Sequence, residues 1–127
     1  MRIYIISGEK GTGKTTLAKR LTAGSSRYIM VGSESAYKVL DMVSTTDAST
    51  ITLDLINPHD KGMLRLIYDI MMGHGFVSPS VKLLIVIFEI IPYDFINLPY
   101  VNYIQLVQDR YCKTAEELLA LWKNASF

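Results

Sequence analysis

Eight residues, Gly8-Glu9-Lys10-Gly11-Thr12-Gly13-Lys14-Thr15, keep the spacing G-x-x-x-x-G-K-T of a Walker A loop. Each residue type in that pattern has a task in holding a polyphosphate. Glycines let the backbone curl until successive N–H groups point inward at phosphate oxygens. A helix starting just after them turns its positive end and its unpaired N–H groups toward the same anion. Lys14 then reaches the β- and γ-phosphates, and the Thr15 hydroxyl sits on the magnesium. The residues expected to hold nucleotide are Gly8, Glu9, Lys10, Gly11, Thr12, Gly13, Lys14, Thr15 and Thr16, and the expected ligand is ATP or GTP with Mg²⁺.

Such a site needs a carboxylate to hold the magnesium, carried at the end of a neighbouring apolar strand. Two residues compete for that place. Asp54 closes Ile51-Thr52-Leu53-Asp54, and Glu89 follows Leu83-Leu84-Ile85-Val86-Ile87-Phe88. Asp54 is the preferred metal residue, together with Thr15. Glu89 follows a wholly apolar run, where a buried charge without a function would be costly. It is therefore read as a catalytic residue with Lys14, placed near the γ-phosphate to polarise or position water. Leu55 follows Asp54 where many ATP-hydrolysing motors carry a second acid. The catalytic base then comes from elsewhere, and Glu89 is the candidate. General-base catalysis contributes about 10²–10⁴-fold in rate.

The elements that must position these residues are legible as an alternation. Arg2 to Ser7 is an apolar, β-favouring run. Leu17, Ala18 and Leu21 share one face of the following helix, which Gly24 can close. Arg27 to Val31 reads as the second strand. Ser33 is a plausible N-cap for a helix carrying Ala36, Val39, Leu40 and Val43. Thr50 to Leu55 is the third strand. Asp60 caps a helix striped with Met63, Leu64, Ile67 and Met71, which ends at Gly73-His74-Gly75. Val81 to Phe88 is the fourth strand, a helical turn falls near Tyr93 to Asn97, and Val101 to Val107 is the fifth strand. Thr114-Ala115-Glu116-Glu117 is a capping box that opens a last helix with Leu118, Leu121 and Trp122. This order predicts an α/β fold with a mostly parallel five-stranded sheet between helical layers, in one domain spanning 1–127. Ligands bind at the carboxyl ends of such strands.

Composition narrows the classes. The chain has 127 residues, half of them hydrophobic and 20% charged, with a net charge of +1. That suits a sheet buried on both faces and apolar surface for a partner. It gives no global basic field for nucleic acid, so a nucleic-acid role would need a local patch. The one cysteine, Cys112, excludes an internal disulfide and a cysteine-rich zinc site. His59 and His74 stand alone and read as loop residues. No apolar run is long enough to span a membrane. The chain opens directly on a strand, so the expectation is an intracellular, cytoplasmic protein without a targeting segment.

Several stretches together resemble the helicase domain of small viral replication proteins, the superfamily-three group. Walker A is followed about forty residues later by Thr50-Ile51-Thr52-Leu53-Asp54, then by Met63-Leu64-Arg65-Leu66-Ile67-Tyr68-Asp69. Val81-Lys82-Leu83-Leu84-Ile85-Val86-Ile87 comes next, and Ile90-Ile91-Pro92 falls where the family has its sensor followed by proline. The resemblance implies a P-loop NTPase with an AAA+-like core, an ATPase that assembles as a ring or larger replication complex on single-stranded nucleic acid, inside the host cell. It also implies an arginine finger. Leu98 to Val107 holds no arginine, and Arg110 is the late candidate. At the sensor position Phe88, Glu89 or Ile90 replaces the family's asparagine. Two other classes stay open. One is a small nucleotide or metabolite kinase, which would need arginines around the transferred phosphate. The other is a non-enzymatic, nucleotide-gated interaction module. Tyr93, Tyr100, Tyr103 and Tyr111 read as packing residues with a lesser prospect of stacking on bases, and Lys19, Arg20 and Arg27 as a solvated face.

Overall fold

All five strands of the sheet run in the same direction, in the order β2-β3-β4-β1-β5. The computed structural model describes residues 1–22, 24–73 and 77–107. In chain order these form β1 (Arg2–Gly8), α1 (Lys14–Leu21), β2 (Ser26–Met30), α2 (Ala36–Thr45), β3 (Thr50–Asp54), α3 (Lys61–Met71), β4 (Leu83–Phe88) and β5 (Val101–Leu106). Two short 3₁₀ turns, Val31–Ser33 and Tyr93–Phe95, fill connections. The predicted last helix from Thr114, with Trp122, lies outside the described residues, as do Arg110, Tyr111, Cys112, His74 and Gly75.

The strand order fixes which face each helix covers. From β1 the chain travels past β4 and β3 to reach β2, then steps back through β3 to β4. Parallel crossovers are right-handed, so α1 lies on one face and α2 and α3 on the other. Side-chain parity agrees. Ile6, Ile85, Ile87 and Leu106 pack with Leu17 and Ala18 of α1. Ile5, Leu53, Leu84 and Val86 pack with Val39 and Val43 of α2 and with Met63 and Ile67 of α3. Successive residues of β1 and β4 thus serve opposite faces. This explains why both strands read as continuous apolar runs, not alternating ones. Each fully buried isoleucine or leucine here stabilises the fold by about 1.5–3 kcal/mol.

Helix boundaries follow local chemistry. Asp60 caps α3, its Oδ1 accepting the Met63 N–H at 3.1 Å, as expected. The cap of α2 is Ser35, whose Oγ accepts the Lys38 N–H at 3.2 Å, and not Ser33. The reason is the buried Val31, which draws Val31–Ser33 into a 3₁₀ turn before the helix begins. At the other end of α1 the C-cap is Thr22, its hydroxyl bonded to the Ala18 carbonyl, so the helix closes two residues before Gly24. The β4–β5 connection is pinned by Phe95, which is buried against Tyr68 and Phe88. Tyr103 braces the same turn, donating to the Phe95 carbonyl and accepting the Leu98 N–H at 2.8 Å. Tyr103 is therefore a packing residue, while Tyr93 and Tyr100 are exposed. No helix among the described residues is long and apolar enough to cross a membrane.

Candidate phosphate and metal site

The loop between β1 and α1 has a shape that only its glycines permit. A Cβ on Gly8 would stand 2.5 Å from the Leu106 carbonyl oxygen and 2.7 Å from Thr12 Oγ1. Gly11 and Gly13 have φ of 85° and 90°, the left-handed region that costs other residues energy. The Thr12 hydroxyl donates to the Glu9 carbonyl at 2.7 Å and tightens the turn. Gly13 is the N-cap of α1 and brings no side chain to cap it. The first-turn N–H groups of α1 therefore have no side-chain acceptor, which is the arrangement an anion completes.

Lys14 opens α1 and folds back over the loop. Its Nζ donates to the carbonyls of Gly8 at 2.7 Å and Glu9 at 2.8 Å. The ammonium is thereby held beside the inward-facing backbone of its own loop, where phosphate oxygens would be stronger acceptors than carbonyls.

Thr15 meets Asp54 across the sheet. The Thr15 hydroxyl donates to Asp54 Oδ2 at 3.1 Å, joining two residues 39 apart in sequence. Asp54 ends β3 and is 6% exposed. Its other oxygen, Oδ1, accepts the Leu55 N–H at 2.7 Å. Leu55 has φ 55°, an unusual conformation for a residue with a bulky side chain. Its carbonyl passes so close to Gly32 that a Cβ there would approach it to 2.6 Å. The chain thus turns sharply just after the acid, so β3 stops at Asp54 and not at Leu55.

A third hydroxyl completes the group. Tyr28 of β2 donates a short hydrogen bond to Asp54 Oδ2. Its phenol is pushed up to about 12, first by burial and then by the hydrogen bond and the negative charge of Asp54. The sequence reading missed this residue. The signal for it is parity: Tyr28 pairs with Thr52 and Met30 with Asp54, so Tyr28 lies on the same sheet face as Asp54.

Glu89 is exposed and not buried as expected. Phe88 is the last buried residue of β4, and Glu89 is an exposed bend residue beyond it. The premise of a buried charge fails because β4 ends at Phe88, as expected, and the next residue already faces solvent. Glu89 lines a cleft of about 640 Å³ with Ser7, Gly8 and Glu9, and with Gln105 of β5. Isoleucines 90, 91 and 96 form its apolar wall. The carbonyls that hold the Lys14 amine belong to the same Gly8 and Glu9, so Glu89 and Lys14 adjoin one stretch of backbone. Arg110 lies outside the described residues.

The donor set suits magnesium. Mg²⁺ binds through one or two protein oxygens plus waters and substrate phosphates, not an all-protein cage. Thr15 Oγ1 and Asp54 supply that number. Among the described residues no three His, Cys, Asp or Glu side chains gather as a metal cluster, and a site of this kind needs none. Lys10 and Thr16 are exposed at the loop. Compared with protein-family models, curated proteins and solved structures, the chain matches none.

Proposed function

We propose that this chain is a nucleoside-triphosphate-binding P-loop domain that takes ATP or GTP with Mg²⁺ at Gly8 to Thr16, Thr15 and Asp54. The observation that carries the reading is the Thr15–Asp54 hydrogen bond. It joins the last residue of the glycine motif to the one acid that ends β3, the pairing a phosphate-bound magnesium requires. The exposed backbone N–H groups of α1 and the folded-back Lys14 support it. In this reading the loop binds the β- and γ-phosphates, Lys14 neutralises charge that develops there, and Glu89 orients the attacking water from the cleft. Asp54, already holding three donors, orients the metal's water shell and not the nucleophile.

The fuller reading, a helicase-like ATPase in nucleic-acid replication that works as a homo-oligomer, rests on the sequence resemblance and on Arg110 serving a neighbouring subunit. Exposed Ile90, Tyr93 and Tyr100 offer apolar and stacking surface for a partner or for single-stranded bases. A kinase is the second reading, favoured by the volume of the cleft beside Glu89, which exceeds what a single water needs. Against it, no arginine lines that cleft among the described residues.

The test is calorimetric binding of Mg-ATP and Mg-GTP to the wild-type chain and to Lys14→Ala. Binding should be lost in the variant with the fold retained, since among the described residues the Lys14 amine bonds to the Gly8 and Glu9 carbonyls and to no other element. Equal affinity of the two proteins would refute the reading. Turnover measured with single-stranded DNA, RNA or a panel of small acceptors then separates motor from kinase.

A further inference from the structure

Tyr28 belongs to no part of the glycine motif, yet it is bound to the acid on which the metal site depends. It sits on β2, an edge strand of the sheet, one strand outward from β3. The residue is 43% exposed, so packing alone does not fix its placement. The hydroxyl is what ties it down, through Asp54 Oδ2.

The carboxylate offers about four lone-pair positions. Three are taken: one on Oδ1 by the Leu55 N–H, and two on Oδ2 by the Thr15 and Tyr28 hydroxyls. The remaining one is on Oδ1. Without Tyr28, Oδ2 keeps a single donor, and that donor, Thr15, is itself a metal ligand in the reading above. The carboxylate would then be free to rotate about its bond to the chain or to recruit bulk water at the exposed edge. With Tyr28 in place, Oδ2 is fixed against Thr15 and the open position of Oδ1 is fixed with it.

We infer that Tyr28 is a positioning residue for the divalent cation of this site, its hydroxyl holding Asp54 in the orientation that receives the metal's water shell. The inference rests on the nucleotide reading above and assigns a role to a residue outside the motif. Partners that orient metal-binding carboxylates typically change metal affinity by 10–100-fold when removed.

The experiment is binding of ADP to wild type and Tyr28→Phe by calorimetry, in excess EDTA and across a Mg²⁺ titration. Phenylalanine keeps the ring and removes only the hydroxyl. The expected result is equal affinity in EDTA, within about twofold, with the Mg²⁺ needed for half-maximal enhancement raised about tenfold. An unchanged or lowered Mg²⁺ requirement, with ADP still bound, overturns the role of Tyr28 and leaves the nucleotide reading standing. Failure of wild type to bind ADP under either condition overturns both. Should the variant not fold, a crystal structure of the wild-type Mg-ADP complex decides. The Tyr28 hydroxyl should remain on Asp54, and its displacement by a metal-bound water refutes the inference.

Discussion

Asp54→Asn separates the charge of the acid from its shape. The carboxylate receives three hydrogen bonds, from Leu55 N–H, Thr15 Oγ1 and Tyr28 Oη, while only 6% exposed. Bonds to a charged acceptor contribute about 1.5–3 kcal/mol each and neutral ones about 0.5–1.5, so the substitution forfeits about 1 kcal/mol per bond. Both hydroxyls can turn to accept from the new amide, and both are partly exposed to water. Relief of a buried charge offsets part of the rest. The net loss of stability should be about 1–2 kcal/mol, measured by urea unfolding without ligand. The effect on metal-dependent binding should be far larger. At Mg-ADP concentrations 100 times the dissociation constant, wild type gains about 2.7 kcal/mol, and a hundredfold weaker variant gains only about 0.4. Unfolding with and without Mg-ADP therefore reads both quantities. A variant as stable as wild type, and equally stabilised by Mg-ADP, would refute the placement of Asp54 on the metal.

Two further outcomes are expected. Glu89→Gln should lower NTP turnover by about 10²–10⁴-fold while nucleotide affinity stays within a few-fold, as for a group that positions water; single-turnover kinetics beside equilibrium binding would show it, and unchanged turnover would remove Glu89 from catalysis. Alkaline pH should weaken the wild-type fold through Tyr28. A tyrosine ionises near 10 in the unfolded chain, and Tyr28 in the fold only near 12. Its contribution is therefore fully present below pH 10 and lost as pH rises toward 12. Urea unfolding between pH 9 and 11 should show wild type losing stability relative to Tyr28→Phe, and parallel curves would contradict the shift.

Much of this arrangement was legible because it depends on local chemistry. The glycines at 11 and 13 announce backbone that other residues adopt only at a cost, Gly8 a close approach that a Cβ would block, and the run Leu83 to Phe88 a strand buried on both faces. The stripe of α3 was visible, although Ile70 also joins the core and Leu64 is only half-buried. What stayed hidden depends on long-range pairing. The sequence contains both Ser33 and Ser35, and the buried Val31 decides between them. It contains Tyr28, but nothing local says that β2 pairs with β3 in a register that brings a phenol to Asp54. The end of β4 at Phe88 was read correctly, but the burial assumed for Glu89 was not, because exposure changes from one position to the next at a strand end.

The place of β4 in the sheet bears on how damage to this protein would present itself. β1, which leads into the glycine loop, and β3, which ends in Asp54, are not neighbours, because β4 lies between them. At about 4.8 Å per strand the two halves of the site stand about 10 Å apart, and only the reach of Thr15 closes the gap. Backbone hydrogen bonds set that spacing, and the buried side chains of β4 set how the helices seat on the sheet. Ile85 packs with Leu17 and Ala18 of α1, the helix that carries Thr15. A smaller side chain there, buried and remote from the loop, would leave a void beneath α1. The lesion would lie in the core, and the symptom would be a Thr15 hydroxyl drawn off Asp54.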